Sequence, residues 1–210
     1  MCSSDLAALD VTINGSVMVY GYMNVFETNG TTYLWGSGWC VADLCAYTND
    51  GKSVNFTPYT INDPDPYWYI GGGGPGAEGN KVMEANWYAD PPAGTYNGQT
   101  IVFSGDVVSN TLVSGYSFQA FIKDFAADWS SFVASTVYLT PTNAGTFKIS
   151  LATINDPARH VQWGLQMKGR NVWSTDVATK GLVTVREIPE PVTLALGGIA
   201  MLAMVTRRRS

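Results

Sequence analysis

The stretches GTFKISL at residues 145–151 and HVQWGLQM at residues 160–167 decide the fold class. Apolar and polar residues alternate in both. Phe147, Ile149 and Leu151 fall on the side opposite Thr146 and Lys148. A period of two predicts half-buried strands, with one face in a core and the other in solvent. Such strands are typical of antiparallel sheets.

The same strand character recurs along the chain between turn signals such as Asn29-Gly30 and Asn97-Gly98. About ten or eleven strands favour a single antiparallel, jelly-roll-like β-sandwich over residues 7–187, with almost no helix. The segments predicted as strand-rich are Ser16–Glu27, Thr32–Tyr47, Ser53–Ile61, Lys81–Ala89, Gln99–Val108, Ser114–Phe125, Ser131–Leu139, Gly145–Thr153, His160–Lys168 and Gly181–Glu187.

Composition and charge exclude one class of partner. Of the 210 residues, 22 are glycine and only 14% are charged, which is typical of an extracellular all-β domain. The formal net charge is −5, and it becomes about −8 without the three arginines near the C-terminus. An acidic body is unsuited to the phosphate backbone, so nucleic acid is not an expected partner.

The C-terminal segment has three parts in a fixed order. Pro189-Glu190-Pro191 is an extended hinge, residues 192–205 form an uncharged apolar run, and Arg207-Arg208-Arg209 follow. The arrangement resembles the PEP-CTERM sorting tail of Gram-negative bacteria. That resemblance implies an exported protein, held at the inner membrane by a hydrophobic helix over residues 188–210. An exosortase then processes it for the cell surface or extracellular matrix. The alternative is a buried C-terminal helix.

Residues 1–6 lack the basic and apolar regions of an export signal. They look like a translated sequencing adapter, so we expect them to be non-native, Cys2 included. Cys40 and Cys45 then remain, and the sequence leaves two alternatives open for them. A short turn would allow a disulfide in an exported protein, and otherwise both are buried free thiols.

Catalytic motifs are scarce. His160 is the single histidine, and the chain contains neither a Gly-x-Ser-x-Gly elbow nor a phosphate-binding loop. Glycosidase chemistry would need two carboxylates at a fixed separation. The candidates are Glu78, Glu84, Asp124 and Asp128, and no spacing pairs them, so we predict that the protein is not an enzyme.

Aromatic residues offer a binding chemistry, because flat rings stack on the apolar faces of sugars. Trp87 and Trp163 lie on the apolar side of alternating strands and are assigned to the core. Tyr67-Trp68-Tyr69 cannot all face one core if they form a strand. We therefore predict a carbohydrate site at two loops, one around residues 35–39 and one at residues 63–76. Its residues are Trp68, Trp35, Trp39, Tyr67 and Tyr69, with Asp65 as polar partner.

The body is also similar in pattern to jelly-roll carbohydrate-binding modules. The residues that carry this similarity are Trp39–Leu44, Val102–Ser104 and Asp176-Val177. It implies binding of exopolysaccharide or another glycan, and a structural calcium with Glu27 and Asp176 among its ligands. Two alternatives remain: a matrix protein that self-associates through sheet edges or aromatic patches, and a glycan-cleaving jelly-roll enzyme.

Overall fold

The structure, a computed structural model, describes residues 8–41, 45–47, 52–142 and 144–188. Within these residues the chain forms twelve strands and a short 3-10 helix, Val177–Lys180, and none of its helices is long and apolar enough to cross a membrane. The predicted all-β class is confirmed for this part of the chain. The sorting tail from Pro189 to Arg209 and residues 1–6 lie outside it, so those predictions stay predictions.

The first sheet has six strands arranged around the long strand β7. Strand β7 pairs with β10 on one side and with β1 and β12 on the other, and β12 continues to β5 and then β4. The strands are β1 (Leu9–Thr12), β4 (Cys45–Tyr47), β5 (Ser53–Phe56), β7 (Thr100–Asn110), β10 (Gly145–Ala152) and β12 (Val183–Arg186).

The second sheet has six strands in the order β3-β2-β6-β11-β8-β9, and every pair is antiparallel. Its members are β2 (Tyr20–Phe26), β3 (Tyr33–Trp39), β6 (Val82–Ala89), β8 (Ser117–Phe125), β9 (Phe132–Tyr138) and β11 (His160–Arg170). Strands β6, β11 and β8 are therefore central, and β3 and β9 form the two edges.

The core lies between the two sheets, as the alternation predicted. Trp87 and Trp163 are buried in it, together with Phe103 from the first sheet. Phe147 and Ile149 of β10 are buried while Thr146, Lys148 and Ser150 are exposed. The two sheets therefore form the predicted sandwich, and burial of each apolar side chain stabilises it by about 1.5–3 kcal/mol.

Three details differ from the sequence predictions. Strand β1 pairs in parallel with β7, so the sandwich is not purely antiparallel. Strand β11 is buried on both faces, because Gln162 and Gln166 have polar partners that cover them instead of water. Residues 67–69 form a turn closed by bonds from Trp68 N and Tyr69 N to Asp65 O, so the argument from strand alternation was wrong there.

Candidate functional site

A groove of about 640 Å³ crosses the outer face of the second sheet, the face turned away from the core. The alternation within each strand decides which residues reach it. Met83, Ala85 and Trp87 of β6 point into the core, so Glu84 and Asn86 point into the groove. The register carries this face across the neighbouring strands, pairing Asn86 with Tyr22 on β2 and Gln166 on β11.

A ladder of hydrogen-bonded amides runs across the outer face of the second sheet and reaches the groove at Asn86. Gln119 Nε2 donates to Gln166 Oε1 at 2.5 Å, and Gln166 Nε2 donates to Asn86 Oδ1 at 2.8 Å. Asn86 Nδ2 then donates to the carbonyl oxygens of Tyr22 and Glu84 at 3.2 and 3.1 Å. A chain of satisfied amides in a partly buried site fixes each side chain in one orientation. The ladder therefore holds Asn86 as a rigid polar part of the groove floor.

Aromatic rings border this floor on both sides. On the β2–β6 side Tyr20 is 47% exposed and stacks on Tyr88, with ring centroids 5.9 Å apart. On the β8–β9 side Trp129 is 48% exposed and stacks on His160 at 4.4 Å, and Phe132 is 52% exposed. Exposed rings normally cost hydration free energy, so their concentration around one groove indicates a binding surface.

Gly164 on β11 allows close packing against Tyr88 of β6, which lines the groove. It lies between Tyr88 and Phe121 in the register of the sheet. A Cβ there would lie 2.6 Å from Tyr88 Cβ and 2.2 Å from the Trp87 carbonyl oxygen. A glycine inside a central strand often marks a place where another group approaches the backbone closely.

Trp129 is held by a strained turn between β8 and β9. It has a φ of 61°, which makes it the one non-glycine residue with positive φ in the described ranges. Its amide donates to Ala126 O at 2.9 Å, and Asp128 Oδ1 accepts the amide of Ser130 at 3.1 Å. Such a conformation costs about 1–3 kcal/mol and persists only where its surroundings enforce it. The turn therefore places the indole at the groove in a defined position.

Charged groups in the groove are few and mostly paired. Glu84 accepts from Asn24 Nδ2 at 3.0 Å and pairs with Lys168 Nζ at 3.1 Å. Lys123 Nζ lies 4.5 Å above the Phe121 ring, and burial lowers the pKa of Lys123, an effect that Glu84 partly offsets. Burial also raises the pKa of Tyr88 to about 12, so its phenol is a protonated hydrogen-bond donor at neutral pH.

Asp90 lines the groove and has a carboxylate oxygen without a hydrogen-bond donor. Its Oδ1 atom is buried and has no hydrogen-bond partner in the protein. Burial raises the pKa of Asp90, while hydrogen bonding to Gln162 and the nearby His160 act to lower it. A buried acceptor without a donor costs about 1–3 kcal/mol.

The carboxylates of the groove are too far apart for glycoside hydrolysis. Glu84 lies in β6 and Asp90 directly follows that strand, so their Cα atoms are roughly 20 Å apart at the usual rise per residue. Retaining and inverting enzymes use carboxyl pairs about 5–9.5 Å apart. Asp124, another sequence candidate, is buried and already bound by Arg159 Nε at 2.8 Å and by Ile154 N at 2.8 Å. Glu78 is a surface partner of Arg170.

Three residues of the sequence-predicted site do come together, at the β3 edge of the same sheet. Trp35 Nε1 donates to Tyr67 Oη at 2.8 Å. The Trp68 ring meets Trp35 edge-on at 6.1 Å and Tyr67 edge-on at 4.7 Å, and Lys81 Nζ lies 4.6 Å from the Tyr67 ring centroid. We call Trp35, Tyr67 and Trp68 the edge cluster. Its rings pack edge-on against one another, and the Tyr67 ring remains 39% exposed.

The other predicted site residues are not part of this cluster. Trp39 packs edge-on against Tyr59 at 5.0 Å and contacts the core. Tyr69 is buried, and its hydroxyl donates to Ile61 O. Asp65 Oδ1 accepts the Tyr67 amide at 2.7 Å, so this carboxylate closes the turn.

The cysteine and calcium predictions are not supported. Cys40 is a free and exposed thiol, which contradicts both the bridge to Cys45 and a buried thiol at this position; the Cys45 side chain lies outside the described residues. Glu27 pairs with Lys81 at 3.2 Å, and Asp176 accepts the Gly76 amide at 2.6 Å. Among the described residues no group of three or more His, Cys, Asp or Glu side chains is arranged to hold a metal.

Sequence reasoning missed the groove residues although a signal was present. Apolar residues alternate with polar and aromatic residues in Tyr20–Val25 and in Met83–Ala89. The polar and aromatic side chains must therefore lie on the face of the strand that is turned away from the core. The missing information was strand order, because only the sheet brings β2, β6, β11 and β8 together. The groove residues that no prediction assigned are Tyr22, Asn24, Asn86, Tyr88, Asp90, Phe121, Lys123, Phe125, Trp129, Phe132 and Gln162. Tyr20, Gln119 and Gln166 adjoin them on the same face of the sheet.

Comparisons with known proteins give low similarities. Neither a family model nor a curated protein matches the chain. The solved structure of the xylan-binding module CBM15 is 18% identical, with 83% of this chain and 95% of that one covered and a TM-score of 0.34. A module in complex with β-1,4-galactotriose is 12% identical, with 64% and 66% covered and a TM-score of 0.30. A carbohydrate-binding module of the β-sandwich superfamily is 12% identical, with 80% and 83% covered and a TM-score of 0.34. TM-scores this low carry no information on function.

Proposed function

We propose that the protein is a glycan-binding module without catalytic activity, and that the glycan lies in the groove on the outer face of the second sheet. One observation carries this proposal: half-exposed rings border a floor of pre-bonded amides. The rings of Tyr20 and Trp129 offer apolar faces to the C–H surfaces of sugars. The amides and Asp90 offer polar groups to the hydroxyls. The proposal includes the jelly-roll topology predicted from the sequence.

The charge of the groove favours a neutral polysaccharide. Glu84 is matched by Lys168, and Lys123 is engaged by two aromatic rings, which leaves Asp90 as the carboxylate with an unpaired oxygen. A uronate or sulfate group would meet that carboxylate and the acidic field of a chain with net charge −5. A hydroxyl group would instead donate to it.

The test is calorimetric titration of the full chain with soluble neutral and anionic polysaccharides. We expect binding to neutral chains, and loss of about tenfold or more in affinity in the Trp129→Ala variant, because a stacking ring is removed. Tyr67→Ala is the matched control, since it removes an exposed ring of the edge cluster. Loss of binding in Tyr67→Ala with unchanged binding in Trp129→Ala would place the site at the edge cluster and contradict the proposal.

We also propose that the protein is exported and sorted through its C-terminal tail. The support is the order of Pro189-Glu190-Pro191, the apolar run and Arg207–Arg209. Replacing residues 189–191 by alanine should leave membrane insertion intact, because insertion follows hydrophobicity, and should block release in a host with an exosortase. Equal release of the variant and the native chain would refute the assignment.

A further inference from the structure

The edge strand β9 has the residues and the exposure of a pairing surface. Its sequence, FVASTVY at 132–138, contains no charged residue, no proline and no glycine. Phe132 is 52% exposed and Tyr138 is 60% exposed, and Ala134 and Thr136 are also exposed. Edge strands usually carry a charge, a proline or a cover that prevents pairing with another chain. The opposite edge, β3, has such a cover, because Trp35 packs against the turn that holds Tyr67 and Trp68.

The backbone of β9 presents a regular row of groups at its outer side. The amide of Leu139 donates to Phe118 O at 2.9 Å, and the amide of Ala126 donates to Ser131 O at 2.9 Å. In an antiparallel pair, alternate residues bond to the neighbouring strand and the others point away. Odd-numbered residues from 131 to 139 therefore bond to β8. Phe132, Ala134 and Thr136 direct their N–H and C=O groups away from the sheet.

The strand is complementary to a reversed copy of itself. Antiparallel pairing centred on Ser135 places Phe132 opposite Tyr138, residue 133 opposite 137 (both valine), and Ala134 opposite Thr136. The register matches the row of outward groups, since 134 and 136 would exchange both hydrogen bonds across the axis. Aromatic and β-branched cross-strand pairs each contribute roughly 0.2–1 kcal/mol. Two acidic chains also approach each other most easily along an uncharged strand.

We propose that a second copy of this chain pairs with β9, giving a two-fold dimer centred on Ser135. This contact is isologous, so it closes at two copies instead of growing into a fibre. The axis runs perpendicular to the sheet, so the two second sheets merge into one and both grooves open on the same side. Tyr138 of the second copy then lies beside Phe132 at the border of the groove. One polysaccharide could engage both grooves, which raises avidity without any new contact to sugar.

The test compares two double variants of the full chain by sedimentation velocity over a concentration series in mild detergent. Ala134→Lys with Thr136→Lys places like charges opposite each other twice, and we expect the dimer dissociation constant to rise by about tenfold or more. Ala134→Lys with Thr136→Glu changes the same positions but places opposite charges together, and we expect the dimer to persist. Both positions are exposed, so circular dichroism should show the native fold in each variant.

Ser37→Lys on the β3 edge is the control and should leave the dimer unchanged. The first double variant lowers the acidity of the chain, so a non-specific charge effect would strengthen association instead of weakening it. A native chain that stays monomeric at all concentrations would overturn the proposal. Equal dimerisation of the two double variants would overturn it as well, because association would then use another surface.

Discussion

Two aromatic groups lie on the second sheet, and they differ in what their ring faces touch. In the edge cluster, the rings of Trp35, Tyr67 and Trp68 meet edge-on and cover one another and the edge of β3. Around the groove, Tyr20 and Trp129 each stack on one neighbour and remain half exposed beside a polar floor. Residues of one type thus pack against one another at the first location and remain half exposed beside polar side chains at the second. The two locations differ in their neighbours, which are other aromatic rings in the edge cluster and polar side chains around the groove.

The largest expected effect comes from a buried ion pair at the end of β8, next to the groove-lining Phe125. Arg159 binds Asp124 through Nε at 2.8 Å, and its Nη2 donates to the Asp124 carbonyl at 2.7 Å. Arg159→Ala would leave a buried carboxylate unpaired, so we expect a loss of about 3–5 kcal/mol in the free energy of unfolding. Urea unfolding measures it. Arg170→Ala removes an exposed partner of Glu78, and it should change stability by less than about 1 kcal/mol.

Trp68→Ala tests the edge cluster. The ring is half-buried against the core, so its removal should cost about 2–3 kcal/mol of unfolding free energy and leave glycan affinity per folded molecule unchanged. Thermal or urea unfolding gives the first quantity and calorimetry the second. A selective loss of affinity with native stability would reverse the roles assigned to the two aromatic groups.

Trp129→Ala tests the groove, and here we expect a loss of glycan affinity with little change in stability. We expect the stability of Trp129→Ala to lie within about 1 kcal/mol of the native value, because the ring is half exposed. Glycine adopts the positive φ of this position without strain, whereas alanine does not. Trp129→Gly should therefore be more stable than Trp129→Ala, while both lose affinity. Urea unfolding of the two variants decides this, and the reverse order would show that the positive φ of residue 129 does not strain the fold.

The smallest expected effect concerns the pH dependence of stability. Burial raises the pKa of Asp90 in the folded state above its ordinary value of 3.8. The stability that this proton confers is complete below the ordinary carboxyl pKa and is lost as the pH rises through the raised pKa of the folded state. Asp90→Asn should remove that loss. The unfolding free energy of the variant, relative to that of the native chain, should therefore increase as the pH rises from acidic to neutral. A stability difference between the two chains that stays constant over this pH range would contradict the raised pKa of Asp90.

The sequence predicted the strands better than it predicted the site. Alternation in residues 145–151 and in 81–89 is strong because each strand has one face in the core, so segment positions and the burial of Trp87 and Trp163 followed directly. Residues 67–69 are too few for alternation to separate a strand from a turn, and Asp65 closes the turn with its side chain.

The groove was harder to predict for a different physical reason. Gln119, Asn86 and Gln166 are far apart in sequence, and each reads as an ordinary solvent-facing residue of its own strand. Their bonds to one another depend on the order β6-β11-β8, which local pattern does not encode. The parallel pairing of β1 was also not encoded in the local pattern, because it depends on an open position beside residues 101–104 of β7.

The position of β12 determines how the domain responds to mechanical load. This strand ends at Arg186 and is bonded on both sides, with Val183 paired to Phe56 on β5 and to Asn110 on β7. Tension applied through the chain beyond Arg186 acts along the strand, so the hydrogen bonds on both flanks are sheared together instead of opening one at a time. Pulling β12 lengthwise out of the sheet must therefore break two hydrogen-bonded ladders, whereas an edge strand is held by one.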